Sequence, residues 1–236
     1  ATIALYRERG YDTIPARGPL AALTVPGAIG GWMLALEAAR SLGGRVPLDL
    51  LLATAITQAR DGTVVSRSQH ALTRDKLSEM GEATGFVQTF LDGEKVPAEG
   101  AVMRQPAFAA TLDHLANAGL DDFYRGDVGR EIAADLDRIG SPVTRADLEK
   151  FKAYIADPLS VGIGAGTLYN APPPTQGLAS LIILALFDRL RVAKADDFDF
   201  VHGLVESTKR AFRVRDRFVT DPNKLEQPLA QFLDAK

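Results

Sequence analysis

The run LSVGIGAGTLYNAPPPTQGLASLIILALFDRL, from Leu159 to Leu190, carries both periodicities that decide the fold. Leu159, Val161 and Ile163 alternate with small residues, which puts them on one face of a strand. Thr167-Leu168-Tyr169 follows across Gly164-Ala165-Gly166, so the two segments read as a β-hairpin closed by a glycine turn. Gly162, Gly164 and Gly166 have the wrong spacing for a dinucleotide-binding loop, and a strand rather than a helix follows them. Pro172-Pro173-Pro174 offers no backbone donors and stops the second strand. From Gly177 the pattern becomes a strongly apolar helix that ends near Leu190.

Outside this stretch helical spacing dominates. Ile29, Trp32, Met33 and Leu36 form one stripe behind Thr24-Val25-Pro26-Gly27. Pro47 suits a first helical position, with Leu48, Leu51, Leu52, Ala55, Ile56 and Ala59 on one face and Gly62 as the stop. A helix from Pro106 to Gly119 carries Phe108, Leu112, Leu115 and Ala116, and another after Gly126 carries Val128, Ile132, Leu136 and Ile139. Thr144 and Asp147 form a capping box for a helix with the face Leu148, Phe151 and Ile155. The last long helix shows Val201, Leu204, Val205, Thr208 and Phe212, and stops before Asp221-Pro222. Ser66 to Ala101 has the weakest pattern and reads as short helices and a loop. With no repeat and no linker, residues 1–236 read as a single helix-rich α/β (α+β) domain. Its few strands imply a sheet completed elsewhere.

The 236 residues suffice for a substantial core, and a formal net charge of -3 gives no surface for a polyanion. The longest apolar candidate, Leu178 to Leu190, is broken by Asp188 and Arg189 and is too short to span a bilayer. The absence of cysteine removes disulfides and thiolate chemistry from this stretch. Ala1 to Arg9 has no secretory-signal pattern, which leaves cytoplasm and periplasm both open.

No complete catalytic constellation is legible. His70, His114 and His202 lack partners at metal-ligand spacing; His202 stands four residues before Glu206, within reach of one hydrogen bond. Ser180 and Ser207 have no nucleophile-elbow context. Gly27, Gly30 and Gly31 fit either a backbone anion site or a tight turn with close helix packing. Lys209, Arg210, Arg213, Arg215 and Arg217 make the last helix basic, which suits a solvated end or arginines paired with acids on a companion subunit. Ala171 to Gly177 is either a rigid connector or a pocket wall in which Thr175 and Gln176 offer hydrogen bonds to a substrate.

Several stretches in order resemble the large subunit of the γ-glutamyltransferase family. They are Val25-Pro26-Gly27 to Gly31-Trp32, Pro47-Leu48-Asp49-Leu50-Leu51 to Asp61-Gly62, and Thr111-Leu112 with Ala118-Gly119. Phe123-Tyr124-Arg125-Gly126, Thr144 to Leu148, Pro172-Pro173-Pro174 with Gly177, and Ala211-Phe212 through Asp216-Arg217 to Asp221-Pro222 complete the series. The resemblance implies an αββα N-terminal-nucleophile hydrolase sandwich, completed by a small subunit that a self-cleaving precursor releases. It implies attack on an amide by the small subunit's N-terminal threonine, whose own amine is the base, with no metal or organic cofactor. The family's catalytic threonine lies on the small subunit, and its carboxylate-gripping arginine lies before residue 1. No catalytic residue is therefore assigned to this chain.

Where transpeptidases of this family show Pro-Pro-Pro-Ser-Ser-Gly-Gly, this chain has Thr175-Gln176-Gly177-Leu178 after the prolines. That departure is similar to the hydrolytic branch, which includes oxamate amidohydrolases and acylases and points to the cytoplasm. Hydrolysis of a small carboxylate-bearing amide is the expectation. γ-Glutamyl transfer or glutathione hydrolysis is the second reading, and a non-catalytic scaffold or binding protein the third.

Overall fold

The computed structural model describes residues 2–81, 83, 85–195 and 197–234. Although no linker is visible in the sequence, the chain gathers into two compact units, Ala1–Tyr154 and Ile155–Lys236, each with its own core.

The first unit runs α1 (Ile3–Glu8), α2 (Ala28–Ser41), α3 (Leu48–Asp61), β1 (Thr63–Val64), α4 (Arg67–Met80), α5 (Phe86–Phe90), β2 (Val102–Met103), α6 (Pro106–Ala118), α7 (Asp122–Arg125), α8 (Asp127–Arg138) and α9 (Arg145–Lys150). Helices α3 and α6 meet through Leu52, Ile56 and Leu112. Ile29, Leu115, Leu120 and Tyr124 form the main core, with Met33, Leu48 and Phe151 packed on it. Pro47 sits one position earlier than expected, at the N-cap of α3. Gly62 ends that helix at φ 106, a left-handed conformation open to glycine, and a Cβ there would come within 2.4 Å of Val102 Cγ1.

Four expectations change here. Trp32 is exposed, on the rim of an apolar hollow of about 260 Å³ that it shares with Leu36, Leu48 and Leu51, while Gly30 takes its place in the buried edge of α2. Residues 66–101 hold a fourteen-residue helix, α4, opened by Ser66 Oγ accepting from Gln69 N–H at 3.2 Å. Only Thr73 of α4 is buried, so it lacks the apolar stripe that reveals a helix in sequence. Positions 82 and 84 of that stretch lie outside the described residues. The antiparallel pairing Thr63↔Met103 and Val64↔Val102 is two residues long, too short for alternation to register. Finally, α9 ends at Lys150: Phe151 turns to extended geometry and stacks 5.0 Å from Tyr124, leaving Ile155 outside the helix.

The second unit contains β3 (Leu159–Ile163), β4 (Gly166–Asn170), α10 (Gly177–Arg189) and α11 (Phe198–Phe218), followed by two short 3₁₀ turns, Pro222–Lys224 and Leu229–Leu233. The hairpin is antiparallel as expected, but its turn is one residue shorter than the expected Gly164-Ala165-Gly166: Gly166 belongs to the strand, opposite Ile163, and Leu159 stands opposite Asn170. Val161 is buried and Ser160 exposed, so one face of the ladder packs on α10. Leu178, Ile182, Ala211 and Leu229 form the core. Helix α11 differs from expectation in its orientation. Its buried residues are Gly203, Ser207 and Ala211, while Val201, Leu204, Val205 and Phe212 face outward. A Cβ on Gly203 would lie 2.8 Å from Leu190 Cδ1, so close approach to α10 selects the small residues for that edge.

Candidate functional site

The Ala171 to Gly177 turn joins β4 to α10, and local chemistry shapes it. Asn170 Oδ1 accepts from Ala171 N–H at 2.8 Å. Thr175 Oγ1 donates to the carbonyls of Ala171 (2.9 Å) and Pro172 (3.0 Å) and accepts from Gly177 N–H at 3.1 Å. The single hydroxyl proton of Thr175 is thus committed to the turn. Pro173 is buried, while Thr175 and Gln176 are exposed.

Gln176 reaches α11. Its Oε1 accepts from Arg215 Nη1 at 3.2 Å, which leaves the amide NH₂ pointing away from this bond. The Arg215 guanidinium also donates from Nε to Asp216 Oδ1 at 2.7 Å and lies 3.6 Å above the Phe212 ring. Three contacts hold this arginine in place. The sequence pointed to Thr175 and Gln176 but not to Arg215 as their neighbour, because the two positions are 39 residues apart. The cluster offers hydrogen-bond donors and a cation, and its carboxylate, Asp216, is paired with Arg215.

In the first unit, the Phe123-Tyr124-Arg125-Gly126 motif ties three segments together. The Tyr124 hydroxyl donates to Pro26 O at 2.7 Å and accepts from Gly30 N–H at 2.9 Å. Burial holds its phenol above the ordinary tyrosine range, against the Gly30 N–H and Arg125, so it is a neutral hydroxyl. Arg125 donates to Phe151 O at 2.6 Å, and Arg145 donates to Arg125 O at 2.8 Å. The glycine turn at 27–31 is therefore a packing device: the Gly30 donor serves Tyr124, and that of Gly31 bonds Gly27 O at 3.1 Å. A cleft of about 310 Å³ beside this knot is lined by Gly30, Glu37, Tyr124, Arg125, Phe151 and Lys152.

The histidines take structural places. His70 Nδ1 lies 2.8 Å from Pro97 O. His202 stacks on Phe198 at 5.2 Å, in place of the hydrogen bond to Glu206 that the spacing allowed. His114 Nε2 is sealed from solvent 3.1 Å from Asp122 Oδ1, but not aligned with it as a hydrogen bond. Burial pushes the Asp122 carboxyl up, but the N–H groups of Val128 (2.9 Å) and Asp127 (3.2 Å), together with His114, outweigh it and leave the carboxyl below its usual range. Among the described residues, the one hydroxyl bonded to a carboxylate is Thr144 to Asp147 at 2.7 Å, a helix cap. No group of three or more histidines and carboxylates there is placed to hold a metal ion.

That cap gives a direct test. The Thr144 hydroxyl and N–H hold the Asp147 carboxyl below its usual range. A depressed folded pKa stabilises above the unfolded value, about 3.9, and this contribution is lost as pH falls through the folded value. Thr144→Ala is expected to destabilise by about 1 kcal/mol at pH 7. It should also weaken the loss of stability below about pH 4, as followed by denaturant titration at both pH values.

The chain belongs to the Gamma-glutamyltranspeptidase family, whose model matches residues 1–236. It is 46% identical over 99% of its length to the oxamate amidohydrolase proenzyme of Klebsiella pneumoniae, of which it spans 44%. Among solved structures it is similar to the cephalosporin acylase of Bacillus halodurans, with a TM-score of 0.88 and 28% identity over 99% of this chain and 44% of that one. The γ-glutamyltranspeptidase of Pseudomonas nitroreducens, complexed with L-DON, gives 0.85 and 28% over 99% of this chain and 70% of that one. The fold is accordingly that of the N-terminal-nucleophile hydrolases, of which these residues form a helix-rich part.

Proposed function

We propose that this chain is part of the large subunit of a self-processed amidohydrolase acting on a small carboxylate-bearing amide of the oxamate type. The observation that carries the reading is the 46% identity, over 99% of the chain, to the Klebsiella oxamate amidohydrolase proenzyme. The nucleophile is the N-terminal threonine of a small subunit cut from the same precursor. Its hydroxyl adds to the amide carbonyl, its α-amino group takes the proton and returns it to the departing ammonia, and water hydrolyses the resulting ester. This division of labour accords with the described residues, whose one hydroxyl–carboxylate pair is a helix cap. Thr175 and Gln176 serve as a pocket wall: the Thr175 hydroxyl fixes the turn, and the exposed Gln176, steadied by Arg215 through its Oε1, keeps its amide NH₂ for the substrate.

γ-Glutamyl transfer or glutathione hydrolysis is the second reading, favoured by the 0.85 TM-score to the Pseudomonas γ-glutamyltranspeptidase. Parallel assays of the full processed protein separate the two. Ammonia release from oxamate, with little nitroaniline from γ-glutamyl-p-nitroanilide, is the expected result. Nitroaniline release that quickens with a dipeptide acceptor would install the second reading instead. Mass spectrometry should show a smaller polypeptide beginning with threonine.

A further inference from the structure

The cleft of about 310 Å³ beside the Tyr124 knot carries charges that the knot does not use. Met33, Leu34 and Glu37 line it from one face of α2, and Phe151-Lys152-Ala153 lines it from the extended segment after α9. Arg125, also in the lining, is committed: it pairs with Asp121 and donates to Phe151 O at 2.6 Å. Glu37 and Lys152 are exposed and have no ion pair, with each other or with another group, among the described residues. The backbone N–H groups of Lys152 and Ala153 likewise make no hydrogen bond there. An acid and a cation that line one cleft without neutralising each other, with unpaired donors next to the cation, complement a ligand carrying both signs. Half-buried Met33, Leu34 and Phe151 give the same cleft an apolar floor.

We propose that this cleft binds a free amino acid with an apolar side chain. Its ammonium group meets Glu37, its carboxylate meets Lys152 and the adjoining N–H groups, and its side chain lies on Met33, Leu34 and Phe151. The volume is that of roughly ten water molecules, which gives room for leucine or methionine. A γ-glutamyl compound or glutamate would set a second carboxylate against the apolar floor, where it finds no partner, so the cleft selects against it. The inference does not depend on the amide chemistry proposed above.

Calorimetry on the full-length protein, with leucine as the probe, tests this. N-acetyl-leucine lacks the ammonium group, leucinamide lacks the carboxylate, and glutamate keeps both but loses the apolar side chain. Leucine is expected to bind about tenfold more tightly than each of the three. Glu37→Gln should weaken leucine about tenfold and leave N-acetyl-leucine unchanged, while Lys152→Gln should weaken leucine about tenfold and leave leucinamide unchanged. Both positions are exposed, so the variants should melt with the wild type, and in each the unaffected analogue reports an intact cleft. No heat with leucine overturns the proposal, as does glutamate bound as tightly as leucine or a leucine affinity unmoved by either substitution.

Discussion

Tyr124→Ala is expected to destabilise the protein by about 3–5 kcal/mol, the range for removing a buried aromatic side chain. Tyr124 is 1% exposed and packs on Phe123 and Phe151 with ring centroids 5.0 Å away on both sides. Truncation leaves a cavity beside Gly30 that the backbone cannot fill. It also strands Gly30 N–H and Pro26 O, which the hydroxyl now bridges. Tyr124→Phe separates these effects. It keeps the ring and removes only the bridge, so about 1–3 kcal/mol is expected, chiefly from the buried Gly30 N–H left unpaired. Thermal melts of the full-length protein check both, with roughly 2–4 °C of Tm lost per kcal/mol for a chain of this size. Equal losses for the two variants would mean that the hydroxyl bridge, and not the ring, holds the first unit together.

Gly177→Ala should be the most damaging single-methyl change in the second unit. Gly177 opens α10, and its φ is one that any residue adopts, so alanine there would ordinarily gain about 0.4–1 kcal/mol by restricting the unfolded chain. The added Cβ, however, would stand 2.1 Å from Ala171 O and 2.9 Å from Asn170 Oδ1. A backbone carbonyl in a proline-braced turn has no rotamer to escape into, so the cost falls at or beyond the upper end of the overpacking range, about 3 kcal/mol. The Asn170 and Thr175 bonds that set the turn would be lost with it. Gly31→Ala is the control: no atom lies within 4 Å of its Cβ position, and a gain of about 0.5–1 kcal/mol is expected. Opposite signs for the two substitutions in the same melting assay would confirm that contact, and not glycine content, decides. A neutral Gly177→Ala would refute the geometry of this turn.

The arrangement at Gly177 also shows how much of the site could be read in advance. Three prolines and the Thr175-Gln176-Gly177 departure mark the turn in the sequence, because proline and glycine act locally on their own backbone. Arg215 gives no such sign. Its place beside Gln176 follows from packing α10 against α11, which brings together side chains 39 residues apart. The His114–Asp122 approach was hidden in the same way.

By itself, the sequence determined the existence of the hairpin, the helices with apolar stripes, the Thr144 capping box and the family. The first three rest on periodicity or on chemistry within a few residues, and the family on the order of short motifs along the chain. The tertiary structure decided which side of each helix is inside. Helix α4 was hidden because it has almost no inside, α9 stops early because Phe151 leaves it for Tyr124, and α11 turns its small residues inward because Gly203 meets Leu190. Periodicity shows that a stripe exists; steric fit to the neighbouring helix chooses the face that is buried, and that fit is a property of two segments at once.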